Sequence, residues 1–442
     1  MIKQWLARQA YSLLLRLGTP VYLWRVWHRG KTEPLYRAVW WERLGVYGAA
    51  HRHQVAMSGQ GPWVWVHAVS LGETRAVAPL VQALRTERPG MRLLLTHSTA
   101  TGREAGRSLL QPGDAQTWLP YDTPGAVRRF LRAHRPAVGV LMETEVWPNV
   151  QAVAAQEDVP VVLANGRLSE KSLKQGLRLA ALMAPAAQSL AVVLAQTQAD
   201  AERFRQMGAR DVRVTGNVKF DVTPANHLLS LGAAWKAASQ GRPIVLMASS
   251  REGEEPGLLA AWTKARSDGL YGGEGAFPRL WIVPRHPQRF DEVAQLVAQA
   301  GWSLSRRSTW SEAGPDAVAQ EADVWLGDSI GEMPAYYAAA NVALLGGSFE
   351  PLGGQNLIEA AACGCPIVMG PSTFNFAEAA ELSERAGAAI RVSNWGEGVA
   401  QALRFCDQTR QSAGRAAAYA FAGAHKGAAT RSAKEIWAQV LG

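Results

Sequence analysis

The chain has 442 residues, a formal net charge of +9 and three cysteines, and 48% of its residues are hydrophobic. This length suits two domains of roughly 200 residues, each able to bury a full core. An odd number of cysteines without repeated pair spacing excludes a disulfide framework and fits a reducing compartment. Cys363 and Cys365 are too few for a zinc site, so we expect two small buried thiols between a helix end and a strand.

The first 53 residues carry most of the net charge, because nine Lys or Arg stand against two Glu and account for +7 of the +9. They also hold five tryptophans, at positions 5, 24, 27, 40 and 41. A basic, Trp-rich and amphipathic segment predicts binding to an anionic membrane surface, chiefly through residues 1–28. The uncharged run at residues 17–24 is shorter than the roughly 20 residues that cross a bilayer. We therefore expect residues 1–53 to lie on a membrane; the alternative is a helix packed on its own domain.

Apolar runs alternate with helical patterns from residue 63 onward, and this alternation predicts a parallel sheet with crossover helices. Residues 222–242 start with Thr-Pro and end with Gly-Arg-Pro, which predicts a linker. We predict an α/β protein with two Rossmann-like domains, residues 54–221 and 243–442, that flank one cleft; the last helices are free to pack back on the first domain. The predicted strands lie at residues 63–69, 92–96, 117–119, 137–142, 159–164, 244–248, 280–283, 322–326, 341–345 and 367–369.

Carboxylates follow two strands of the first series, and ligands of parallel sheets bind where strands end. Glu73 opens a helix expected to run to about residue 88, and Gly72 permits a sharp turn before it. On spacing alone, Glu73 is a carboxylate that complements the helix dipole, which lowers its pKa and keeps it ionised. Glu143 and Glu145 could do acid–base work, bind hydroxyl groups or be solvated. Because the strand before them should be buried, we expect at least one of the two to face the cleft.

Three further strand ends carry candidate polar groups. Lys219 stands beside a Gly turn and could reach a phosphate, although a solvated lysine is the alternative. Ser249 begins a hydroxyl-rich turn into an acidic helix start. Pro284 and Pro287 stiffen the loop that carries Arg285, and a guanidinium held in this way is a good phosphate or carboxylate clamp.

The stretch at residues 327–371 places two Gly-containing turns before two helix starts. Gly353 and Gly354 precede a helix that Gln355 or Asn356 can cap, and the upstream Gly331 and Pro334 repeat the arrangement. Free backbone N–H groups at such a turn welcome a phosphate. Glu359, one turn into the helix, could accept hydrogen bonds from ribose hydroxyls. The combination predicts a nucleotide site.

Several motifs are missing. No Gly-x-Gly-x-x-Gly follows a strand, which makes a dinucleotide cofactor unlikely to be bound. The Gly-Lys-Thr at residues 30–32 lacks the first glycine of a Walker A motif. Without an Asp-x-Asp for a nucleotide-diphosphate sugar, we predict neither a metal nor a cofactor. His51 and His53 lack further clustered ligands and are expected to be solvated.

Six of these motifs, in order along nearly the entire chain, resemble the 3-deoxy-D-manno-octulosonic acid (Kdo) transferase family. They lie at residues 70–73, 143–149, 216–221, 284–290, 327–333 and 353–359. The resemblance extends to Tyr36-Arg37 and residues 41–45. Ser329 stands where the family pattern has Thr, and this difference preserves a hydroxyl group.

The resemblance implies a two-domain GT-B glycosyltransferase that moves Kdo from CMP-Kdo to a lipid A precursor, lipid IVA, in lipopolysaccharide core synthesis. It implies inversion without a metal, with the acceptor lipid on the first domain and CMP-Kdo on the second. The family's catalytic carboxylate falls on Glu73, with Glu143 as a supporting acid. Its nucleotide contacts match Pro284, Arg285, Ile330, Gly331, Glu332, Asn356, Leu357, Ile358 and Glu359, to which Lys219, Ser249, Gly353 and Gly354 are added from the turns above.

Two other functions stay open at this stage. One is a GT-B enzyme that uses a nucleotide-diphosphate sugar on a lipid acceptor. The other is a non-catalytic membrane-associated or nucleic-acid-binding protein, but charge concentrated in the first 53 residues speaks against a nucleic-acid groove. No signal peptide is apparent. We expect the protein at the cytoplasmic face of a bacterial inner membrane, bound peripherally or anchored by its N terminus.

Overall fold

A computed structural model describes residues 2–273, 275–311 and 314–441. Met1 and Gly442, the outer ends of two predicted domains, lie outside the described residues. The described chain forms two compact units. The first contains the residues up to Asp221 together with those from Lys426 onward, and the second is Val222–His425.

Each unit contains a parallel sheet, as the alternation of strands and helices predicts. The strands are β1 Trp63–His67, β2 Arg92–His97, β3 Ala115–Trp118, β4 Val138–Met142, β5 Val161–Gly166, β6 Val192–Ala195, β7 Val212–Val214, β8 Ile244–Ser250, β9 Arg279–Pro284, β10 Leu304–Arg306, β11 Val324–Leu326, β12 Val342–Leu345, β13 Ile367–Met369 and β14 Ala389–Arg391. Within the described residues each sheet has seven strands, ordered β3-β2-β1-β4-β5-β6-β7 and β10-β11-β9-β8-β12-β13-β14. All ten predicted strands are confirmed, with small shifts at their ends.

Helices connect the strands and cover the sheets. They are α1 Ile2–Arg29, α2 Ala49–Met57, α3 Leu71–Glu87, α4 Ala100–Gly106, α5 Pro124–His134, α6 Pro148–Gln156, α7 Glu170–Arg178, α8 Ala180–Gln188, α9 Gln198–Met207, α10 Asn226–Ala238, α11 Glu254–Ser267, α12 Phe290–Gln299, α13 Ala317–Glu321, α14 Met333–Ala339, α15 Leu357–Ala362, α16 Ala377–Arg385, α17 Trp395–Arg404, α18 Gln408–Ala424 and α19 Ala428–Leu441.

The central strands are buried on both faces, which explains why their sequences are nearly continuous apolar runs. In β1 all five residues are buried. Successive side chains of a strand point to opposite faces, so Trp65 packs into one core of the first unit while Val64 and Val66 pack into the other. Cys363 and Cys365 are free and buried between α15 and β13, as expected.

The segment expected to be a linker, residues 222–242, contains α10 and belongs to the second unit. Its Thr-Pro and Gly-Arg-Pro turns flank a helix that packs closely on α14. A Cβ on Gly232 would lie 2.3 Å from the carbonyl oxygen of Ala335, so the glycine permits the close approach. The last helix, α19, belongs to the first unit and packs against α3. The Asp221 carboxylate accepts hydrogen bonds from the N–H groups of Gly427 and Ala429, which fastens the start of α19.

Helix α1 packs on the first unit through two side-chain hydrogen bonds. The Tyr11 hydroxyl donates to Asp122 Oδ2 at 2.9 Å, and the Ser12 hydroxyl donates to Asn149 Oδ1 at 3.1 Å. Other apolar side chains of the helix face outward, and Leu13 and Leu17 are 56% and 69% exposed. Among the described residues, no helix combines the length and hydropathy needed to cross a membrane.

The strand order reverses at one place in each sheet, between β1 and β4 in the first and between β8 and β12 in the second. Loops leaving neighbouring strands diverge at such a switch point, and ligands of open α/β sheets bind in the crevice at the carboxyl ends there. The loops that carry Glu73 and Glu143 follow β1 and β4. Those that carry Ser249 and Gly347 end β8 and follow β12.

Candidate active site

Glu73 completes a capping box at the start of α3. Ser70 is the N-cap residue, and its hydroxyl accepts a hydrogen bond from the N–H of Glu73. In return, Glu73 Oε1 accepts from the Ser70 hydroxyl at 3.2 Å, and Glu73 Oε2 accepts from the N–H of Val69 at 2.9 Å. This reciprocal pairing holds the carboxylate in one orientation. Gly72 lies inside the first helical turn without a positive φ, so the expected sharp turn at Gly72 is wrong.

Glu143 lies directly after β4 in the left-handed region, at φ 56°. Non-glycine residues adopt this conformation rarely, and such strain clusters at functional sites. Glu143 Oε1 lies 2.9 Å from the Lys219 ammonium. Lys219 was assigned to the nucleotide donor from its sequence, yet the structure pairs it with Glu143 within the first unit.

Hydrogen bonds across 50 residues position Lys219. The side chain of Asn165, at the end of β5, accepts from the N–H of Val218 at 3.1 Å. Asn217 Oδ1 accepts from the N–H of Lys219 at 3.0 Å, and Asn217 Nδ2 donates to Gln196 at 3.1 Å. The turn that carries Lys219 is therefore anchored to the ends of β5 and β6.

Glu145 is the residue of this cluster that the assignment of site residues omits. Trp147 Nε1 donates to Glu145 Oε2 at 2.7 Å, and His67 Nε2 lies 3.9 Å from the same oxygen. Burial lowers the pKa of His67 to about 3, so the imidazole is neutral and does not form an ion pair. Burial, followed by the charge of Glu73, raises the pKa of Glu145 to about 7. The repeated Glu at 143 and 145 was the sequence signal that could have identified it.

Burial also raises the pKa of Glu73 above its usual value. The hydrogen bond from Val69 opposes this shift, and the nearby charge of Glu143 adds to it. The expectation that the helix dipole leaves Glu73 with a lowered pKa is therefore wrong, because desolvation outweighs it. A carboxylate with a raised pKa is a stronger base, which suits proton abstraction.

Two buried glutamates at the start of α11 hold the loops at the switch point of the second sheet. Glu254 accepts from the N–H groups of Arg251 at 2.9 Å and Gly347 at 2.7 Å, so it joins the loops after β8 and β12. Glu255 forms a bidentate pair with Arg289 at 2.7 and 2.9 Å. Neither glutamate was singled out from the sequence, in which they read as an acidic helix start.

The loop before α14 brings several predicted donor residues together. Gly331 has φ 87°, which allows the chain to turn into the helix. Glu332 is held by Arg307 at 2.9 and 3.2 Å and accepts from the Ser329 hydroxyl. The Ser249 hydroxyl lies 3.8 Å from the sulfur of Met333, so the end of β8 contacts this loop. The side chain of Ile330 is 80% exposed.

The loop between β12 and α15 is shaped by Gly353 and Gly354, which have φ 85° and 73°. The predicted cap is confirmed, because Asn356 Oδ1 accepts from the N–H of Ile358 at 3.0 Å. The side chains of Leu357 and Ile358 are buried in the second unit. Any ligand contact of these two residues therefore runs through the backbone.

Arg285 and Glu359 both lie near the hydroxyl of Tyr337 on α14. Burial raises the pKa of Tyr337 well above its usual value; Glu359 adds to the rise and Arg285 opposes it. Arg285 is exposed, whereas Pro284 before it is buried at the end of β9. The two side chains assigned to phosphate and ribose thus share one neighbourhood of the second unit.

The described residues contain no group of three or more His, Cys, Asp or Glu side chains placed to hold a metal ion. His51 is not solvated as expected. Its Nε2 lies 2.8 Å from Nε2 of His134, and its ring stacks on Tyr47. His53 is exposed.

Comparison with known proteins decides the family. A family model for the 3-deoxy-D-manno-octulosonic-acid transferase matches residues 38–222. The 3-deoxy-D-manno-octulosonic acid transferase of Bordetella pertussis is 45% identical over 98% of this chain and 100% of its own. The chain belongs to the Kdo transferase family. The Haemophilus influenzae member is 30% identical over 91% of each chain.

Solved structures agree with the two-domain α/β fold of this Kdo transferase family member. A glycosyltransferase from Rickettsia africae matches with a TM-score of 0.54 at 12% identity, covering 87% of this chain and 99% of its own. Anabaena HepE, solved in complex with UDP, matches with a TM-score of 0.53 at 16% identity, covering 85% and 99%. These similarities show the fold alone, and the predicted GT-B class is confirmed by them.

Proposed function

We propose that the protein transfers Kdo from CMP-Kdo to a lipid A precursor of the lipid IVA type, with inversion and without a metal. The observation that carries the proposal is the cluster of Glu73, Glu143, Glu145 and Lys219 at the switch point of the first sheet. It offers one oriented carboxylate of raised basicity beside two further acids and one cation. Membership of the Kdo transferase family supports the choice of sugar.

Glu73 is the proposed general base. Its carboxylate accepts the proton of the attacking acceptor hydroxyl while that oxygen bonds to the anomeric carbon of Kdo. The bond from this carbon to the phosphate oxygen breaks, and its electron pair leaves with CMP. The Val69 N–H and the Ser70 hydroxyl keep the carboxylate oriented, so little reorganisation is needed when the acceptor binds.

Glu143 and Lys219 adjust the charge around Glu73. The ammonium 2.9 Å from Glu143 offsets a negative charge that would otherwise raise the pKa of Glu73 further. With its pKa near 7, Glu145 is protonated in part of the molecules at neutral pH and can then donate a hydrogen bond to a sugar oxygen. These acids are proposed to bind and orient the sugars around the base.

The second domain is proposed to bind CMP-Kdo. Arg285 meets the charge of the single phosphodiester, and Glu359 accepts hydrogen bonds from the ribose hydroxyls. The other residues proposed to contact the donor are Ser249, Pro284, Ile330, Gly331, Glu332, Gly353, Gly354, Asn356, Leu357 and Ile358. A monoester-like CMP leaving group needs less charge neutralisation than a diphosphate, which favours a reaction without a metal.

Helix α1 is proposed to hold the enzyme on the anionic cytoplasmic face of the bacterial inner membrane, where a lipid acceptor resides. Its exposed Leu and Trp side chains supply the apolar contact, and its Lys and Arg residues supply the attraction to lipid head groups. We do not assign a nucleic-acid partner, because the basic charge is concentrated in this part of the sequence.

Donor competition tests the proposal against a nucleotide-diphosphate sugar as substrate. Purified enzyme should transfer Kdo from CMP-Kdo, and CMP should inhibit the transfer far more strongly than UDP. Stronger inhibition by UDP would favour the alternative donor. The matched control is CMP-sialic acid, which carries the same nucleotide on a different sugar and separates nucleotide recognition from sugar recognition.

A further inference from the structure

A largely apolar cavity of about 280 Å³ lies between α1 and the carboxyl ends of β3 and β4. Small-molecule pockets occupy roughly 300–1,000 Å³, so the cavity suits a short alkyl chain or part of a longer one. From α1 it is lined by Leu14, Gly18 and Tyr22, and from the opposite wall by Leu119 and Trp147. The proposed reaction leaves this cavity without an occupant.

Arg43 gives the cavity a cationic wall. This side chain is 3% exposed, and its guanidinium stacks on the ring of Trp118 at 3.9 Å. Its Nη2 donates to the carbonyl oxygen of Ser98 at 3.4 Å, whereas its Nε has no hydrogen-bond partner among the described residues. A buried cation without a paired carboxylate is costly, and an anion from a ligand would lower that cost.

Neighbouring groups do not neutralise Arg43. Asp122 lines the same cavity, but its carboxylate already accepts hydrogen bonds from Tyr11 and from the N–H groups of Asn149 and Val150. Burial raises the pKa of Asp122 to about 7, so its negative charge is partial at neutral pH. The hydroxyl of Tyr121, on the same wall, has no hydrogen-bond partner among the described residues and can donate to an anion.

The cavity shares two wall residues with the candidate active site. Trp147 lines it and donates to Glu145 at 2.7 Å. Ser98 also lines it, and the N–H of Ser98 donates to the carbonyl oxygen of Val69, whose own N–H binds Glu73. A ligand in the cavity would therefore extend from α1, with its exposed apolar side chains, toward the catalytic carboxylates.

We propose that this cavity is an acceptor subsite that receives an acyl chain of the lipid, with an anionic group of the same lipid at Arg43. The proposal rests on the proposed function for the identity of the lipid as acceptor. The cavity itself commits to an anionic amphiphile, because its walls are apolar and its buried cation lacks an anionic partner.

Gly18 offers a way to fill the cavity without disturbing the fold. A Cβ at this position meets no atom within 4 Å, so the side chain in Gly18→Leu enters open space. Gln9→Leu adds the same side chain to an exposed position of the same helix, away from the cavity, and controls for greater affinity of α1 for lipid. Binding is measured by calorimetry on the full chain, with decyl phosphate below its micelle concentration as probe.

Decyl phosphate should bind the unmodified protein and the Gln9→Leu variant equally. Each methylene kept out of the cavity weakens binding about fourfold, so displacement of two by Gly18→Leu weakens it about 15-fold. Inorganic phosphate and decyltrimethylammonium should bind far more weakly than decyl phosphate. Equal binding of decyl phosphate by both variants overturns the cavity as the site, and tight binding of the cationic amphiphile overturns the role of Arg43.

Transfer assays connect the cavity to the acceptor. Gly18→Leu should raise KM for an acylated acceptor about 15-fold, by the same estimate, and leave KM for a fully deacylated acceptor unchanged. Equal KM values for both acceptors in Gly18→Leu and Gln9→Leu overturn the acceptor assignment. If the unmodified enzyme transfers no Kdo at all, the proposed function fails, while the calorimetric result still decides whether the cavity binds an anionic amphiphile.

Discussion

Replacement of Glu73 by Gln should remove catalysis and leave the fold intact. The Gln side chain has the same shape, its carbonyl oxygen can still accept from the N–H of Val69, and Gln is a usual partner in a capping box. The start of α3 therefore keeps its hydrogen bonds, and the melting temperature should change little. Glu73→Ala keeps none of them and should lose roughly 1 kcal/mol of stability.

The expected loss of kcat in Glu73→Gln is about 10² to 10⁴, the usual contribution of a general base. An amide cannot accept the proton, whereas CMP affinity should stay unchanged because the donor residues lie in the second domain. The assay is transfer of labelled Kdo at saturating substrates, together with calorimetry of CMP binding. Glu143→Gln is the rival. If it abolishes turnover while Glu73→Gln keeps kcat within about threefold, far below the general-base range, the base is misassigned.

Four further predictions concern the metal, the donor site, the membrane and pH. Activity should persist in EDTA, because Arg285 meets the phosphate charge in place of a metal. Glu359→Ala should weaken CMP binding about ten- to a hundredfold, the loss of a charge-assisted hydrogen bond. Leu13→Gln with Leu17→Gln should lower binding to anionic liposomes, because both side chains are exposed on α1. Glu143→Gln should move the acid limb of the kcat profile to lower pH, because Glu143 helps to raise the pKa of Glu73.

Matched controls accompany these predictions. Loss of activity in EDTA with recovery in Mg²⁺ would contradict the metal-free reaction. Glu381→Ala removes an exposed glutamate from α16 and should leave CMP binding unchanged; unchanged binding in Glu359→Ala as well would exclude Glu359 from the site. Val318→Gln changes an apolar side chain that is 80% exposed on the second domain, so an equal loss of liposome binding there would argue against α1 as the anchor. An acid limb that stays in place would mean that Glu143 does not act on the base.

The central strands could be predicted because burial on both faces makes their sequences apolar throughout. Strands β7, β10 and β14 were missed, since all three lie at or near sheet edges, are three residues long and expose polar side chains. Strand β6 is wholly buried, but it closely follows the apolar helix α8, and periodicity alone does not separate the two.

The candidate site was predicted as positions and not as interactions. Strand ends and helix starts indicated Glu73 and Glu143, because the carboxyl ends of parallel strands meet at one edge. The partner of Lys219 was not predictable, since Glu143 lies 76 residues away in the sequence. The raised pKa of Glu73 comes from burial by distant segments, whereas the helix dipole is local and was visible in the sequence. Arg43 showed no signal, because its surroundings form only when α1 and the loop after β3 pack together.

The most direct test of the proposed function is the mass of the product formed from CMP-Kdo and a lipid A precursor in the presence of EDTA. The account predicts a lipid heavier by one or more Kdo units, formed together with an equal amount of CMP for each unit, and absent from the Glu73→Gln reaction. An unchanged lipid in the presence of folded enzyme that binds CMP would contradict it, as would transfer from a nucleotide-diphosphate sugar in place of CMP-Kdo.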